Sequence, residues 1–245
     1  MKRLATALLF LAAASACAAE ASLFEQANAK YQAGDFKSAI EIYQKLIQAG
    51  RGSEAVYYNL GNAAVKAGEK GQALVYYERA LKAAPRDKDL RWNIRVLKGA
   101  LTDKIEDTSY FVWTAFREFL DRWTPDEIAW TFGAFLALAA LGAVAGLLSP
   151  AVKDGLSRLR PLVLLGITVF GSLLALKVLE TKDPLVVVLD KEAYAYYGPS
   201  DHETKAFLLH EGAEGRMTDT SGDWLYITLS NKKTGWIRKN SCEIV

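Results

Sequence analysis

The chain has few of the residues that build metal sites and disulfide frameworks, with only two cysteines and two histidines among 245 residues. Neither His202 nor His210 lies in an acidic or cysteine cluster at ligand spacing, and Cys242 has no evident partner. A surplus of one charge is also missing, since 30 Lys and Arg face 28 Asp and Glu. A nucleic-acid-binding protein needs basic residues in excess to neutralise phosphates. We therefore expect no metal, no cofactor and no nucleic-acid partner, and we interpret Cys242 as an inert small hydrophobe.

Catalytic motifs are missing as well. The sequence contains no phosphate-binding Walker loop, no nucleophile elbow, no Cys–His hydrolase motif and no carboxylate pair in a plausible cleft. We therefore predict that the protein is not an enzyme and has no catalytic residues.

The N-terminus has the pattern of an export signal. A basic start precedes an apolar run over residues 4–14, and small residues follow, so residues 1–19 are predicted to be a signal peptide. Residues 14–17 resemble a lipoprotein processing box, in which Cys17 would become the lipidated mature N-terminus. Alternatively, residues 16–18 form a cleavage site and Cys17 is removed. Both alternatives predict export.

A repeat with an offset of 34 residues follows the signal. It pairs Ala27 with Gly61, Gly34 with Gly68, Ala39 with Ala73, Tyr43 with Tyr77 and Leu46 with Ala80. The pattern resembles the tetratricopeptide repeat, in which small and large residues let two antiparallel helices interlock. Gly34 and Gly68 fall where the turn between helices needs a glycine. A partial third copy begins near Asp87, so residues 22–100 are predicted to form a tetratricopeptide array with a capping helix.

The resemblance implies a concave groove lined by the first helix of each repeat. The residues it places there are Phe24, Asn28, Tyr31, Tyr58, Asn59, Asn62, Lys66, Trp92 and Asn93. The asparagines would hydrogen-bond an extended peptide and the aromatic rings would form apolar pockets, although Tyr58 and Trp92 could instead seal the seam between helices. A grip on a C-terminal carboxylate is excluded because Phe24, Asp89 and Asn93 stand where that site needs cations.

Two later segments are long and apolar enough to cross a bilayer: residues 128–149 and residues 161–180. Lys177, near the end of the second, is expected to snorkel to the interface. The loop between them, residues 150–160, carries three basic residues against one acidic residue. By the positive-inside rule this loop is cytoplasmic, and both flanking domains lie on the outer face of the membrane.

The aromatic segment before the first span, residues 108–127, has helical amphipathic spacing. Aromatic residues beside a span favour the headgroup zone, so we predict a helix that lies on the lipid bilayer. The alternative is a binding face for the membrane helix of a partner.

Residues 184–245 change to short apolar runs separated by Gly, Pro and Asp, which is typical of strands. With the Gly235-Trp236 pair near the end, they resemble the bacterial SH3-like domain, a small closed barrel. In such domains exposed aromatic residues form a peptide- or glycan-binding surface, and the candidates here are Tyr194, Tyr196, Tyr197 and Trp224. We expect Trp236 to belong to the barrel core instead. The predicted fold is therefore mainly α with a small all-β domain.

The order of signal, repeats, aromatic segment, two spans and SH3-like domain resembles the BatE family of the bacterial aerotolerance (Bat) operon. The resemblance implies a bacterial inner-membrane protein with both domains in the periplasm. It also implies partners among von Willebrand A-type membrane proteins and a MoxR-type ATPase. The leading hypothesis is a scaffold that binds protein partners through its repeats. The alternative is a protein that binds or senses peptidoglycan through the SH3-like domain.

Overall fold

The computed structural model describes residues 22–105, 111–149 and 155–245. The predicted signal peptide with Cys17, residues 106–110 and the first part of the predicted cytoplasmic loop lie outside the described residues. The chain divides into two compact units. The repeat–sheet unit holds residues 22–105 and 185–245, and the hairpin unit holds the described residues between them.

Five helices form the repeat array. They are α1 (22–32), α2 (Phe36–Gln48), α3 (Glu54–Ala67), α4 (Lys70–Ala83) and α5 (Lys88–Gly99). The predicted turn glycines are confirmed, because Gly34 and Gly68 adopt φ angles of +78° and +84°, which favour glycine. Helix pairing depends on large residues meeting small ones: a Cβ at Gly61 would lie 2.5 Å from the Tyr77 ring.

The C-terminal residues form one antiparallel sheet of seven strands. These are β1 (Leu185–Val188), β2 (Glu192–Tyr196), β3 (Lys205–His210), β4 (Glu214–Ser221), β5 (Trp224–Thr228), β6 (Thr234–Arg238) and β7 (Cys242–Ile244). Their order across the sheet is β3-β2-β6-β5-β4-β1-β7. The closed barrel predicted from the SH3-like resemblance is wrong. Strand β7 has only three residues and pairs with β1, so no ladder within residues 185–245 joins it to β3 at the other edge.

The repeat array and the sheet share a hydrophobic core. Val187 of β1 is fully buried in the same apolar cluster as Leu74 and Tyr76 of α4, and Leu101 after α5 belongs to it as well. The sheet therefore covers part of the array next to α5. The predicted capping helix is not the only element that closes the array. An uncovered array would expose this apolar surface to water.

Polar contacts fix the position of the sheet against α4. The residue before α4, Glu69, makes no side-chain capping bond. Instead, the backbone N–H of Gly71 donates to the Glu211 carboxylate at 2.8 Å, so the turn after β3 satisfies one of the free amides of the helix N-terminus. A side chain at position 71 has no room, because its Cβ would lie 2.6 Å from the Val188 carbonyl oxygen.

An ion cluster stands at the same boundary. The Lys98 ammonium lies 3.0 Å from the Glu78 carboxylate and 2.9 Å from that of Glu214 in β4. Burial lowers the pKa of Lys98, but the two carboxylates raise it by more, so the pKa is raised overall. Burial also raises the pKa of Glu214, against the opposing effect of Lys98. The ammonium therefore stays charged and links a repeat helix to the sheet.

The hairpin unit contains α6 (Phe111–Leu120), α7 (Pro125–Leu148) and α8 (Arg160–Glu180). Thr124 and Glu127 form a capping box at the start of α7. The two long helices pack through stacked rings of Phe135 and Phe170, whose centroids are 5.6 Å apart. By length and composition, α7 and the helical segment Gly155–Glu180 could each cross a membrane. At a rise of about 1.5 Å per residue, α7 is about 36 Å long, enough for a hydrocarbon core of about 30 Å.

Replacement of Gly71 tests the shared core. We expect Gly71→Ala to lower the midpoint of thermal unfolding by several degrees, because the new methyl must displace backbone of β1; overpacking of this kind costs roughly 1–3 kcal/mol. The matched control is Gly99→Ala at the end of α5, where a Cβ meets nothing within 4 Å. Tryptophan fluorescence of the detergent-solubilised full chain would measure both midpoints. Equal midpoints for the two variants would contradict the close approach of β1 to α4.

Candidate functional site

The first helices of the repeats carry the predicted groove residues. Helix α1 holds Phe24, Asn28 and Tyr31, helix α3 holds Tyr58, Asn59, Asn62 and Lys66, and helix α5 holds Trp92 and Asn93. The structure brings Asn28, Tyr31, Asn59 and Asn62 together with Gln32 and Tyr43 around a cavity of about 90 Å³. Every residue lining this cavity is uncharged at neutral pH, and four of the six end in a carboxamide.

Two buried tyrosines hold two of these carboxamides in place. The Tyr43 hydroxyl donates to Asn28 Oδ1, and the Tyr77 hydroxyl donates to Asn62 Oδ1, each at 2.6 Å. Burial raises the pKa of both tyrosines, so their hydroxyls remain proton donors at neutral pH. The same bond thus occurs once in each repeat and assigns the oxygen end of each asparagine to the tyrosine.

These bonds also determine which atom at the other end of each carboxamide is available to a ligand. Asn28 Oδ1 also accepts from Asn59 Nδ2 at 3.1 Å. An asparagine side chain has one accepting oxygen and one donating nitrogen. These bonds do not use Nδ2 of Asn28 or Asn62 or Oδ1 of Asn59, although the Asn59 side chain also hydrogen-bonds Tyr43. The cavity therefore presents two donors and one acceptor in fixed order.

The aromatic residues of the groove divide into two groups. Phe24 and Tyr58 are half-buried, and their rings lie 6.0 and 6.1 Å from those of Tyr43 and Tyr77. The Tyr58 hydroxyl also accepts from Asn93 Nδ2 at 3.1 Å. Tyr58 therefore packs in the seam between helices. This is the alternative predicted for it, in which Tyr58 seals the seam and does not form a pocket for a ligand.

Trp92 behaves differently from Tyr58, although it occupies the equivalent position one repeat later. Its side chain is exposed, and so is that of Lys66 on α3. Both are accessible to a ligand in the groove, and Lys66 is a cation beyond the uncharged cavity.

The role of Tyr43 and Tyr77 in the site did not follow from the sequence, where both count only as repeat core residues, and Gln32 was not among the candidates. A usable signal does exist. Each tyrosine follows its asparagine by 15 residues, and this spacing recurs in both repeats. A hydrogen bond explains such a recurring polar–aromatic pair better than apolar packing does.

The two tryptophans of the sheet lie on the same face, outside the sheet core, although the sequence predicts Trp236 in the core and Trp224 on the surface. Trp224 is only 6% exposed, because Tyr196 packs edge-on against it at 5.3 Å and the Arg238 guanidinium lies over its ring. It is therefore a poor candidate for a binding surface.

The prediction that Trp236 belongs to the barrel core is wrong, because Trp236 does not enter the sheet core. Ile237 and Gly235 are buried, so the alternation of β6 turns Trp236 to the outer face, where it meets Tyr226 at 5.1 Å. Of the four predicted surface aromatics, Tyr194 and Tyr197 are exposed and Tyr196 is partly covered.

Two other reactive side chains among the described residues, Cys242 and His210, are shielded or paired. Burial, with a smaller effect of Asp190, raises the pKa of the Cys242 thiol to about 11, so the thiolate is scarce at neutral pH. His210 bonds Asp103 twice, through its backbone N–H at 2.7 Å and its ring Nδ1 at 2.8 Å. These contacts attach the segment after α5 to β3.

The paired helices and the equivalent Tyr–Asn bonds of the two repeats agree with the result of a comparison with known families. Residues 30–95 match the family model of the tetratricopeptide repeat. This confirms the repeat part of the sequence analysis and makes binding of other proteins the function to expect of the array. No curated protein matches the chain.

The Tyr77–Asn62 bond is testable by removing one hydroxyl. We expect Tyr77→Phe to lower the free energy of unfolding by about 1 kcal/mol, because a buried hydrogen bond is lost while the ring packing remains. Tyr197→Phe is the matched control, since Tyr197 is 70% exposed. Chemical denaturation of the full chain followed by tryptophan fluorescence would compare them. A Tyr77→Phe variant as stable as the control would rule out a contribution from this bond.

Proposed function

We propose that the protein is a non-enzymatic, membrane-anchored adaptor whose repeat groove binds an extended segment of a protein partner. The observation that carries the proposal is the cavity between α1 and α3, where Asn28 and Asn62 offer donors and Asn59 offers an acceptor. An extended peptide presents carbonyl oxygens and N–H groups along its backbone. These are the groups that the asparagines can pair.

The lack of charge in the cavity indicates which part of a partner fits. A terminal carboxylate or ammonium would be buried there without an opposite charge, which is costly. A neutral stretch in the interior of a polypeptide carries no such penalty. Exposed Trp92 and Lys66 offer an apolar and a cationic contact for side chains of the same segment.

The anchor in this proposal is the helical hairpin. Helices α7 and α8 leave many large apolar side chains exposed, including Leu138, Leu141 and Leu165. Such a surface needs lipid or protein to cover it. With the predicted signal peptide and the basic loop, this supports a two-span inner-membrane protein whose terminal domains face the periplasm.

The identity of the partner is suggested by the resemblance to the BatE family. It points to von Willebrand A-type membrane proteins and a MoxR-type ATPase, within a Bat-type complex of the bacterial envelope. The repeat groove is the part of the chain that would bind them.

The asparagine donors can be removed without changing the shape of the side chain. Asn28→Asp with Asn62→Asp keeps the oxygens that accept from Tyr43 and Tyr77 but replaces both donors with acceptors. We expect recovery of the partners from mildly solubilised membranes to fall about tenfold or more, since a hydrogen bond contributes about 1 kcal/mol and two are lost. Quantitative mass spectrometry of material bound to the tagged full chain would measure it.

The control for this double variant is Gln48→Glu, an amide-to-acid change at the exposed end of α2, outside the cavity. It should leave recovery unchanged. Undiminished recovery with the double variant, at a normal unfolding midpoint, would contradict binding through the groove.

A second candidate function is binding of peptidoglycan through the sheet. Its specific support is the pair of exposed tyrosines, Tyr194 in β2 and Tyr197 just after it. Aromatic faces can stack on sugar rings or pack against peptide stems. The Lys205 ammonium, 3.6 Å from the centre of the Tyr194 ring, adds a charge that could attract a stem carboxylate.

Purified cell-wall sacculi distinguish the second candidate from the first. If the sheet binds peptidoglycan, sacculi should retain the detergent-solubilised full chain, and Tyr194→Ala with Tyr197→Ala should abolish retention. Tyr57→Ala, in the repeats, is the control. Retention unaffected by the tyrosine pair, or no retention at all, would argue against this candidate.

A further inference from the structure

Helix α6 has an apolar face that nothing in the hairpin unit covers. The side chains of Phe111, Val112 and Phe119 are 83%, 77% and 52% exposed. At about 100° of rotation per residue, these three positions fall within one arc of about 100°. The helix therefore presents a continuous strip of apolar side chains along its length.

Other positions of α6 show that this strip is not the face by which the helix is held. Leu120, on a different side, is 7% exposed. Arg117 projects from the side opposite the strip and is exposed, whereas exposed Glu118 lies at the edge of the strip, about 20° around the helix from Phe111. The helix is thus amphipathic, with its contact to the rest of the unit at one end.

That contact is an ion pair across 56 residues of sequence. The Asp121 carboxylate, just after α6, lies 2.9 Å from the Lys177 ammonium near the end of α8, and Glu180 lies 3.5 Å from the same ammonium. The Lys177 side chain is only 11% exposed. The ammonium is therefore held by protein carboxylates, and the snorkelling of Lys177 to the interface stays a prediction.

The ion pair sets the level of α6 along the hairpin. Lys177 lies in the last turn of α8, and α7 begins at Pro125, a few residues beyond Asp121. Both long helices therefore reach the same end of the hairpin where α6 is attached. If α7 and α8 span a bilayer, this end lies in the headgroup zone, where aromatic side chains are favoured.

We propose that the strip of Phe111, Val112 and Phe119 is a lipid-binding surface that lies in the interfacial zone of the bilayer, with the Asp121–Lys177 pair holding α6 at that depth. The inference rests on the proposed membrane anchor. Its occupant is lipid because the strip is attached at the end of two exposed apolar helices, and because Arg117 on the opposite face is suited to water.

Spin labels on the full chain test this surface. A nitroxide is attached to Val112→Cys in the strip, Arg117→Cys on the opposite face and Leu138→Cys in the middle of α7. Each variant is placed in phosphatidylcholine–phosphatidylglycerol nanodiscs, and the unsubstituted chain gives the background. Collisions with oxygen, which concentrates in lipid, are compared with collisions with a water-soluble nickel complex. The Val112 and Leu138 positions should favour oxygen, and the Arg117 position should favour nickel.

The outcomes separate the anchor from the strip. If Leu138 favours oxygen while Val112 favours nickel, the strip faces water and the inference fails, but the anchor stands. If Val112 is shielded from both reagents, protein covers the strip, and lipid is the wrong occupant. If Leu138 also favours nickel, the anchor fails and the inference fails with it.

The ion pair is tested on the labelled Val112→Cys chain. Lys177→Met should abolish the preference of the Val112 label for oxygen, because α6 is no longer held at the interface, and Lys177→Arg should restore it. Lys182→Met, an exposed lysine after α8, is the control and should have no effect. A preference that survives Lys177→Met would overturn the role given to the pair.

Discussion

The contact between β1 and helix α4 is the constraint on which the repeat–sheet unit depends. Val187 completes the apolar core of the repeats, and the Glu211 carboxylate supplies the cap that α4 does not provide for itself. Both require a backbone approach that only glycine at position 71 permits. Because Val187 is buried in the core that the repeats form and Glu211 caps α4, the strand is part of the array's stability rather than an attached neighbour.

The same contact leaves the opposite side of the array available. The strands pack on α4, which is the second helix of the second repeat. The cavity is lined mainly by α1 and α3, which are the first helices of the two repeats. Within the cavity, the tyrosine bonds to Asn28 and Asn62 fix which groups point outward. Preorganised donors lose little conformational entropy when a ligand binds. The structure thus separates the side that builds the fold from the side that offers hydrogen bonds.

The sequence predicts features that depend on local periodicity. It does not predict contacts between segments that are far apart in the chain. The offset of 34 residues locates the repeats, and Gly34 and Gly68 locate their turns, because these signals lie within one helix pair. Alternation along β5 and β6 separates two faces but does not say what covers each, so neither the cover of Trp224 by Tyr196 and Arg238 nor the outer position of Trp236 follows from it. Closure of the sheet into a barrel depends on whether its two edge strands pair. The Gly71–Glu211 and Asp121–Lys177 contacts join residues that are far apart in sequence. In the site, the asparagines follow from the repeat pattern, but the tyrosines that orient them do not.

The order of segments along the chain has a consequence for biosynthesis. The repeats are translated first, yet the strand that completes their core follows both long helices of the hairpin. A ribosome must therefore release the entire hairpin before the array can close. Until then, the apolar back of α4 lacks Val187 and remains open to chaperones and proteases.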